Sequence, residues 1–141
     1  MPRATFYRIE QGRFRDDPLM VVCVLARKAY EARQPLLILA RDDAQAEEID
    51  TKLWEFDENA YIPHQIAGDA DDDAVTAVLV VPPGVATDDR PLVINLRDAV
   101  APGAWERVLE VVAPDAALKA SARERWKTYK ARGVTLEAHD M

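Results

Sequence analysis

Two histidines, one cysteine and a run of aspartates are the residues of this chain with an evident capacity for chemistry. His64 follows Pro63 in an aromatic stretch, His139 stands near the C-terminus, and Cys23 lies within LMVVCVLA. Two histidines and one thiol do not assemble a recognisable zinc site. His64 beside Pro63 has the position of a general base. A single histidine in an aromatic loop serves more often as a structural hydrogen-bonding group, and that reading is preferred. Asp69, Asp71, Asp72 and Asp73 supply oxygens that Ca²⁺ or Mg²⁺ would accept. The run lacks the spaced glycine and distal glutamate of an EF-hand loop, so a solvated acidic turn is expected. The five glycines are scattered. No G-x-G-x-x-G follows the first strand, and neither a G-x-x-x-x-G-K loop nor a G-x-S-x-G elbow occurs. The chain is expected to have no active site, metal or cofactor of its own.

Two constellations remain, and both have the chemistry of recognition. The first is LWEFDENAYIPHQIAG, which carries Trp54, Phe56, Tyr61, Ile62 and Pro63 through a connection between elements. Such aromatic surface is either folded onto the core or kept for a partner. Core is the stronger reading for Ile62 and Phe56. Trp54 and Tyr61 suit a partner surface, because each ring joins apolar area to a polar handle. Residue types alone leave the two readings equal. The second constellation is LKASARERWKTYKARG. Successive helical residues advance by about 100°, which puts Leu118, Ala122, Trp126 and Tyr129 on one face and Lys119, Arg123, Lys127 and Lys130 on a neighbouring stripe. A cationic row beside an aromatic shelf can receive an acidic peptide with an apolar end. Helical spacing alone favours the plainer reading of a solvated charged face.

The elements that must position these residues read as alternating strands and helices. Ala4–Ile9 is the first strand, with Phe6 and Tyr7 on opposite faces. Asp16, Asp17 and Pro18 open a helix expected over about Pro18 to Arg33 and buried on most sides. PLLILA (Pro35–Ala40) is a central strand, apolar on both faces. Asp42 and Gln45 have the spacing of a capping box for a second helix reaching about Trp54. TAVLVV (Thr76–Val81) and PLVINL (Pro91–Leu96) are further strands. Pro102 and Gly103 open a short helix through Trp105, leading into an apolar run that ends near Val112. Asp115 caps the last long helix, Gly133 ends it, and Val134–Ala138 is a short final strand. The DDRP loop and the last residues are expected to be the most flexible. This order predicts a single three-layer α/β domain over residues 1–141, with a mainly parallel central sheet flanked by helices, Rossmann-like but without a nucleotide site.

The bulk composition fits such a domain. The chain has 141 residues, 49% of them hydrophobic, which is enough for a real core. No apolar run approaches the roughly 20 residues of a membrane span. The start, MPRATFYRIE, has no apolar signal-peptide core, so a cytoplasmic location is expected. Cys23 cannot form an internal disulfide and reads as a buried, inert thiol. The formal net charge of −7 disfavours autonomous nucleic-acid binding, which rests on neutralising phosphates.

ATFY in the first strand, IDTKLW followed by YIPHQIAG, and LK followed by ARERWKTYKARG occur in an order and spacing that resemble the chi subunit of bacterial DNA polymerase III. The resemblance implies a compact α/β fold and an accessory subunit of the clamp-loader assembly without catalysis of its own. It implies two partners, the psi subunit and the acidic C-terminal tail of single-stranded-DNA-binding protein. By motif position the psi contact falls on Trp54, Tyr61 and Pro63, with Tyr61 where the family commonly has phenylalanine. In some members the same surface is implied in binding a repair helicase. The tail contact falls on Arg123, Trp126 and Lys127, with Trp126 where tyrosine is common. The segment VVAPDAALK is shorter than is usual, which leaves open whether Ala113 stands on the opposite wall of the tail pocket. The rival reading is a small α/β nucleotide-binding domain or enzyme. It requires a phosphate loop or convergent polar residues at the strand ends.

Overall fold

The computed structural model describes residues 2–10, 12–56, 62–68 and 70–141. Seven strands form one sheet in the order β3-β4-β2-β5-β6-β1-β7. They are β1 (Arg3–Arg8), β2 (Leu36–Leu39), β3 (His64–Ile66), β4 (Val78–Val81), β5 (Leu92–Asn95), β6 (Arg107–Val112) and β7 (Thr135–Asp140). Every pairing among them is parallel. The helices are α1 (Gly12–Asp16), α2 (Leu19–Glu31), α3 (Asp43–Glu55), the single turn α4 (Ala70–Asp73) and α5 (Ala116–Ala131).

Alternation along the strands builds two cores, one on each face of the sheet. Leu36 and Ile38, Val78 and Val80, and Leu92 and Ile94 face the core made with α2 and α3. Leu37 and Leu39, Leu79 and Val81, and Val93 face the other, where α5 contributes Ala122 and Tyr129. Phe6 enters this second core and Tyr7 borders the first, as their places on β1 require. Among the described residues, the long helix on the second face is α5. Over β2, β4 and β5 that face is closed by Val85, Val100, Ala101 and Trp105 from connections between strands.

Several boundaries differ from the sequence reading, each for a local reason. The start of α2 is not capped by a side chain: Pro18 holds the N-cap position, and Asp17 instead accepts from Lys52 Nζ at 2.7 Å, tying α2 to α3. Helices α2 and α5 stop in the same motif. Arg33 takes φ 56° and Gly133 φ 80°, while Gln34 N bonds Ala29 O and Val134 N bonds Tyr129 O. Asp42 caps α3 through Gln45 N at 2.7 Å, and the return arm from Gln45 Oε1 reaches Arg41 N at 2.7 Å, one residue before the cap. No helix forms at Pro102–Trp105. Gly103 has φ 87°, and Glu106 and Arg107 already bond Pro91 O, which leaves no room for a turn before β6. The acidic run is not a solvated turn throughout. Asp73 is buried and accepts from Gln65 Nε2 at 2.5 Å and Gly68 N at 3.0 Å. The DDRP loop is anchored by Arg90, which donates to the carbonyls of Leu36, Ala77 and Asp73. The last residues pair in register with β1, and Met141 N reaches Arg8 O at 2.8 Å.

Candidate functional site

On α5, residues 119, 122, 123, 126 and 127 line one groove of about 420 Å³. Its other wall is the sheet, through Phe6, Arg8 and Glu10 on β1 and its exit, Val112 on β6 and Ala138 on β7. Trp126 is half-buried, and its ring meets the Phe6 ring edge-on at 5.1 Å and 65°. The indole is therefore a wall of the groove with one side open. Lys127 pairs with Glu124 at 3.3 Å on the exposed face. Among the described residues, no carboxylate stands within ion-pair reach of Arg123 or Lys119. The three predicted residues Arg123, Trp126 and Lys127 thus share one concavity, joined by Lys119, while Lys130 and Leu118 face elsewhere. Ala113 lines a different cavity, and the wall of this groove across from α5 comes from the sheet, where strand alternation on β1 presents Phe6 and Arg8.

A buried polar cluster that sequence reading passed over ties α5 to β6. Glu110 on β6 accepts from Arg125 Nε at 3.0 Å, Tyr129 Oη at 2.7 Å and Asn95 Nδ2 at 2.8 Å. Tyr129 Oη in turn accepts Ala101 N at 3.0 Å, and Arg125 donates to Ser121 Oγ at 2.7 Å. Glu110 and Arg125 are both buried. Burial pushes the Glu110 carboxyl above the usual carboxylate range, against the Arg125 charge and the three hydrogen bonds, which pull it down. Burial likewise pushes the Tyr129 phenol up. Two signals were available in the sequence. Glu110 interrupts the apolar run VLEVV, and position 125 lies three after Ala122 and four before Tyr129, on the buried arc.

The aromatic connection divides. Ile62 is fully buried and Phe56 packs on the first core, as the core reading held. Trp54, at the end of α3, is 58% exposed and rests edge-on against the His64 ring at 5.1 Å. Pro63 is half-buried, and its carbonyl accepts Val78 N at 3.2 Å. Tyr61 lies outside the described residues. His64 begins β3 and is buried. Its Nδ1 is 2.6 Å from Ile62 O, and its Nε2 is 3.1 Å from Asp50 O and 3.3 Å from Asp50 Oδ1. Nε2 ties β3 to α3 through Asp50, and Nδ1 faces the Ile62 carbonyl two residues before it, so both ring nitrogens have partners within the fold.

In open parallel sheets, ligands bind beyond the carboxyl ends of the strands, with phosphate at a helix N-terminus. Here a crevice of about 470 Å³ lies beyond β2, β5 and β6. The helix ends that could receive a phosphate carry their own anions. Asp42 Oδ1 caps α3, and Asp115 Oδ1 caps α5 by accepting Leu118 N at 3.0 Å. Asp16, Asp17, Glu48 and Asp98 also line the crevice. Arg97 points its guanidinium at the carbonyls of Ala40 and Val81. The lining holds five carboxylates against three guanidiniums, those of Arg41, Arg97 and Arg125, a balance that offers a phosphate no net positive charge. Among the described residues, no group of three His, Cys, Asp or Glu side chains is disposed to hold a metal ion, and no helix is long and apolar enough to cross a membrane.

Comparison with known proteins gives a consistent result. A family model described as "DNA polymerase III chi subunit, HolC" matches residues 1–137. The DNA polymerase III subunit chi of Pseudomonas aeruginosa is 35% identical over 145 residues, spanning 99% of this chain and 96% of that protein. Its Escherichia coli K12 counterpart is 29% identical over 141 residues, with 96% of each covered. That of Haemophilus influenzae is 29% identical over 123 residues, covering 86% of this chain and 85% of the other. Among solved structures, an S. cerevisiae dbp5 variant in complex with nup159 and gle1 superposes with a TM-score of 0.65 at 11% identity. That match covers 99% of this chain and 42% of the other, and it reflects the α/β fold alone.

Proposed function

The chain belongs to the DNA polymerase III chi subunit family, and from that premise we propose that it is a non-catalytic adaptor of the polymerase III clamp-loader assembly. One surface takes the acidic C-terminal tail of single-stranded-DNA-binding protein, and the other takes a psi-type subunit. The observation that carries the reading is the α5 groove. It sets the half-buried Trp126 ring beside Lys119 and Arg123, two cations without a carboxylate partner among the described residues. An acidic peptide with a C-terminal aromatic residue matches both halves of that surface. The exposed Trp54 with Pro63 forms a separate apolar edge for the psi-type subunit, and Tyr61 belongs to the same proposed contact.

This division of labour accounts for the net charge. A chain of charge −7 is poorly suited to hold DNA directly. Holding the tail of a protein that coats single-stranded DNA lets an acidic subunit work at a replication fork in the bacterial cytoplasm. Each tail contact is modest, because a disordered peptide loses entropy on ordering. Several tails on one oligomer raise the effective concentration.

The test is isothermal titration with a synthetic peptide carrying a run of aspartates and a C-terminal phenylalanine. The Arg123→Ala/Lys127→Ala double variant should bind about tenfold or more weakly, and added salt should weaken the wild type. Unchanged affinity in that variant would reduce the α5 row to a solvated face. A pulldown read by mass spectrometry should recover single-stranded-DNA-binding protein and clamp-loader subunits.

A further inference from the structure

The wall of the groove facing α5 carries a charge of its own. On β1, Ala4, Phe6 and Arg8 alternate with Thr5 and Tyr7, so Arg8 leaves the sheet on the side of Phe6. That side is the α5 side, since the Phe6 ring touches Trp126. Strand β7 runs in register, with Ala138 beside Phe6 and Asp140 beside Arg8. Arg8 lines the groove across from Arg123 and Lys127. Its Nε is held by Asp140 Oδ1 at 2.8 Å, and the two side chains are 52% and 62% exposed.

We propose that Arg8 is a further cation of the tail site, and that Asp140 occupies its guanidinium until a carboxylate of the incoming acidic segment replaces it. The inference rests on the tail-binding reading above and specifies the second wall of that site. Counting Arg8, four lining cations stand against one lining carboxylate, Glu10. An acidic segment lying between α5 and β1 is then gripped from both sides, whereas α5 alone offers a single row. The exchange is easy because an exposed ion pair of this kind is held weakly and both carboxylates present the same chemistry to the guanidinium. Asp140 thus acts as an internal competitor, which lowers affinity for weakly acidic peptides more than for those with a dense acidic run.

The experiment is titration of the aspartate-rich peptide with C-terminal phenylalanine into the wild type and four variants, each first checked for an unchanged melting temperature. Asp140→Asn should tighten binding by about threefold, and Arg8→Ala should weaken it by a similar factor, the size of one half-exposed charge pair. Arg8→Ala/Asp140→Asn should match Arg8→Ala, because without the guanidinium the competitor has nothing to block. Glu137→Gln changes the net charge equally from the same strand but on the opposite side of the sheet, and it should change affinity much less. The proposal is overturned if Asp140→Asn leaves affinity unchanged, if its gain persists in the Arg8→Ala background, or if Glu137→Gln reproduces it. A wild type that binds and depends on Arg123 but not on Arg8 overturns this inference alone. A wild type that does not bind the peptide overturns the tail-binding reading with it.

Discussion

Removing Glu110 should be among the most damaging single changes in this protein. Glu110→Ala strands three donors at once: Arg125 Nε, Tyr129 Oη and Asn95 Nδ2. Asn95 Nδ2 still reaches Ala99 O, whereas Tyr129 Oη keeps Ala101 N only as an acceptor and its own hydroxyl hydrogen loses its acceptor. The guanidinium keeps Ser121 Oγ but has no anion left. Breaking a buried pair from one side costs about 3–5 kcal/mol. Against a total stability of about 5–15 kcal/mol, that is a large fraction. For a chain of this length it corresponds to a melting temperature lower by about 10–15 °C. Replacing both partners, as in Glu110→Leu/Arg125→Met, removes the stranded charge along with its cause. The double variant should recover to within about 2 kcal/mol of the wild type.

Arg125→Met should behave differently from Glu110→Ala, and pH separates them. Without the guanidinium, the buried Glu110 carboxyl loses its strongest opposing charge, so its folded value rises further above that in the unfolded chain. A carboxyl raised in the folded state contributes stability that is full below the unfolded value, about 4.3, and is lost as pH rises through the folded one. Arg125→Met should therefore stand closer to the wild type at pH 5 than at pH 8. The Glu110→Ala deficit should instead narrow as pH rises, since the wild type loses the contribution of its raised Glu110 carboxyl and the variant has none to lose. Urea titrations followed by tryptophan fluorescence at both pH values measure all four proteins. A Glu110→Ala cost below about 1 kcal/mol, or single-variant costs that simply add in the double, would refute the argument.

Three further outcomes follow from the same geometry. Trp54→Ala should leave the melting temperature within about 2–4 °C of the wild type, because the ring is mostly in water, yet weaken a psi-type subunit by more than tenfold; parallel melts and titrations on one sample decide between interface and core. Cys23 should resist iodoacetamide at pH 8 until the protein is unfolded, since burial pushes its thiol up to about 11 and leaves roughly one molecule in a thousand as thiolate; labelling at the rate of a free thiol would contradict that. Gly103→Ala should lower stability by about 1–2 kcal/mol in a urea titration, because φ is 87° and the new methyl group meets the Asp89 carboxylate.

The layers and the parallel sheet were legible because the strands with two buried faces, LLIL and VLVV, are short apolar runs between helix signals. Three elements were not. Strand β3 has three residues between Pro63 and Gly68 and forms by pairing with β4, a contact that periodicity over three residues cannot register. Helix α1 has five residues and buries none. The stretch before β6 has the punctuation of a helix, and distance in the fold, not local propensity, cancels it. The candidate site was half legible. Helical arithmetic put Arg123 and Lys127 on a stripe next to the face that carries Trp126, because that relation is internal to α5. The wall of Phe6, Arg8 and Ala138 joins residues more than a hundred positions apart, and only the sheet order brings it to the helix. Asp73 shows the same limit. It reads as one of several solvated acids, and its burial follows from Gln65 and Gly68 closing over it.

The distribution of charge within α5 connects its stability to its use. Residues 116–132 hold six basic residues and one acidic one in a chain of net charge −7. Five of those bases can rotate with the helix at little cost, since water solvates them in any orientation. Arg125 cannot: among the described residues Glu110 alone pairs with it, and turning the helix by one residue, about 100°, would break that contact. A buried pair adds little net stability over an apolar replacement, and its best-attested role is to select one arrangement among several. On this reasoning the Glu110→Leu/Arg125→Met variant should stay within about 2 kcal/mol of the wild type in stability and yet hold the acidic peptide less well, because its α5 is free to settle in a neighbouring rotation. Peptide titration of that variant, with Trp126 fluorescence reporting the position of the indole against Phe6, distinguishes the two roles. Full affinity with an unshifted Trp126 spectrum would show that apolar packing by Ala122 and Tyr129 sets the rotation unaided.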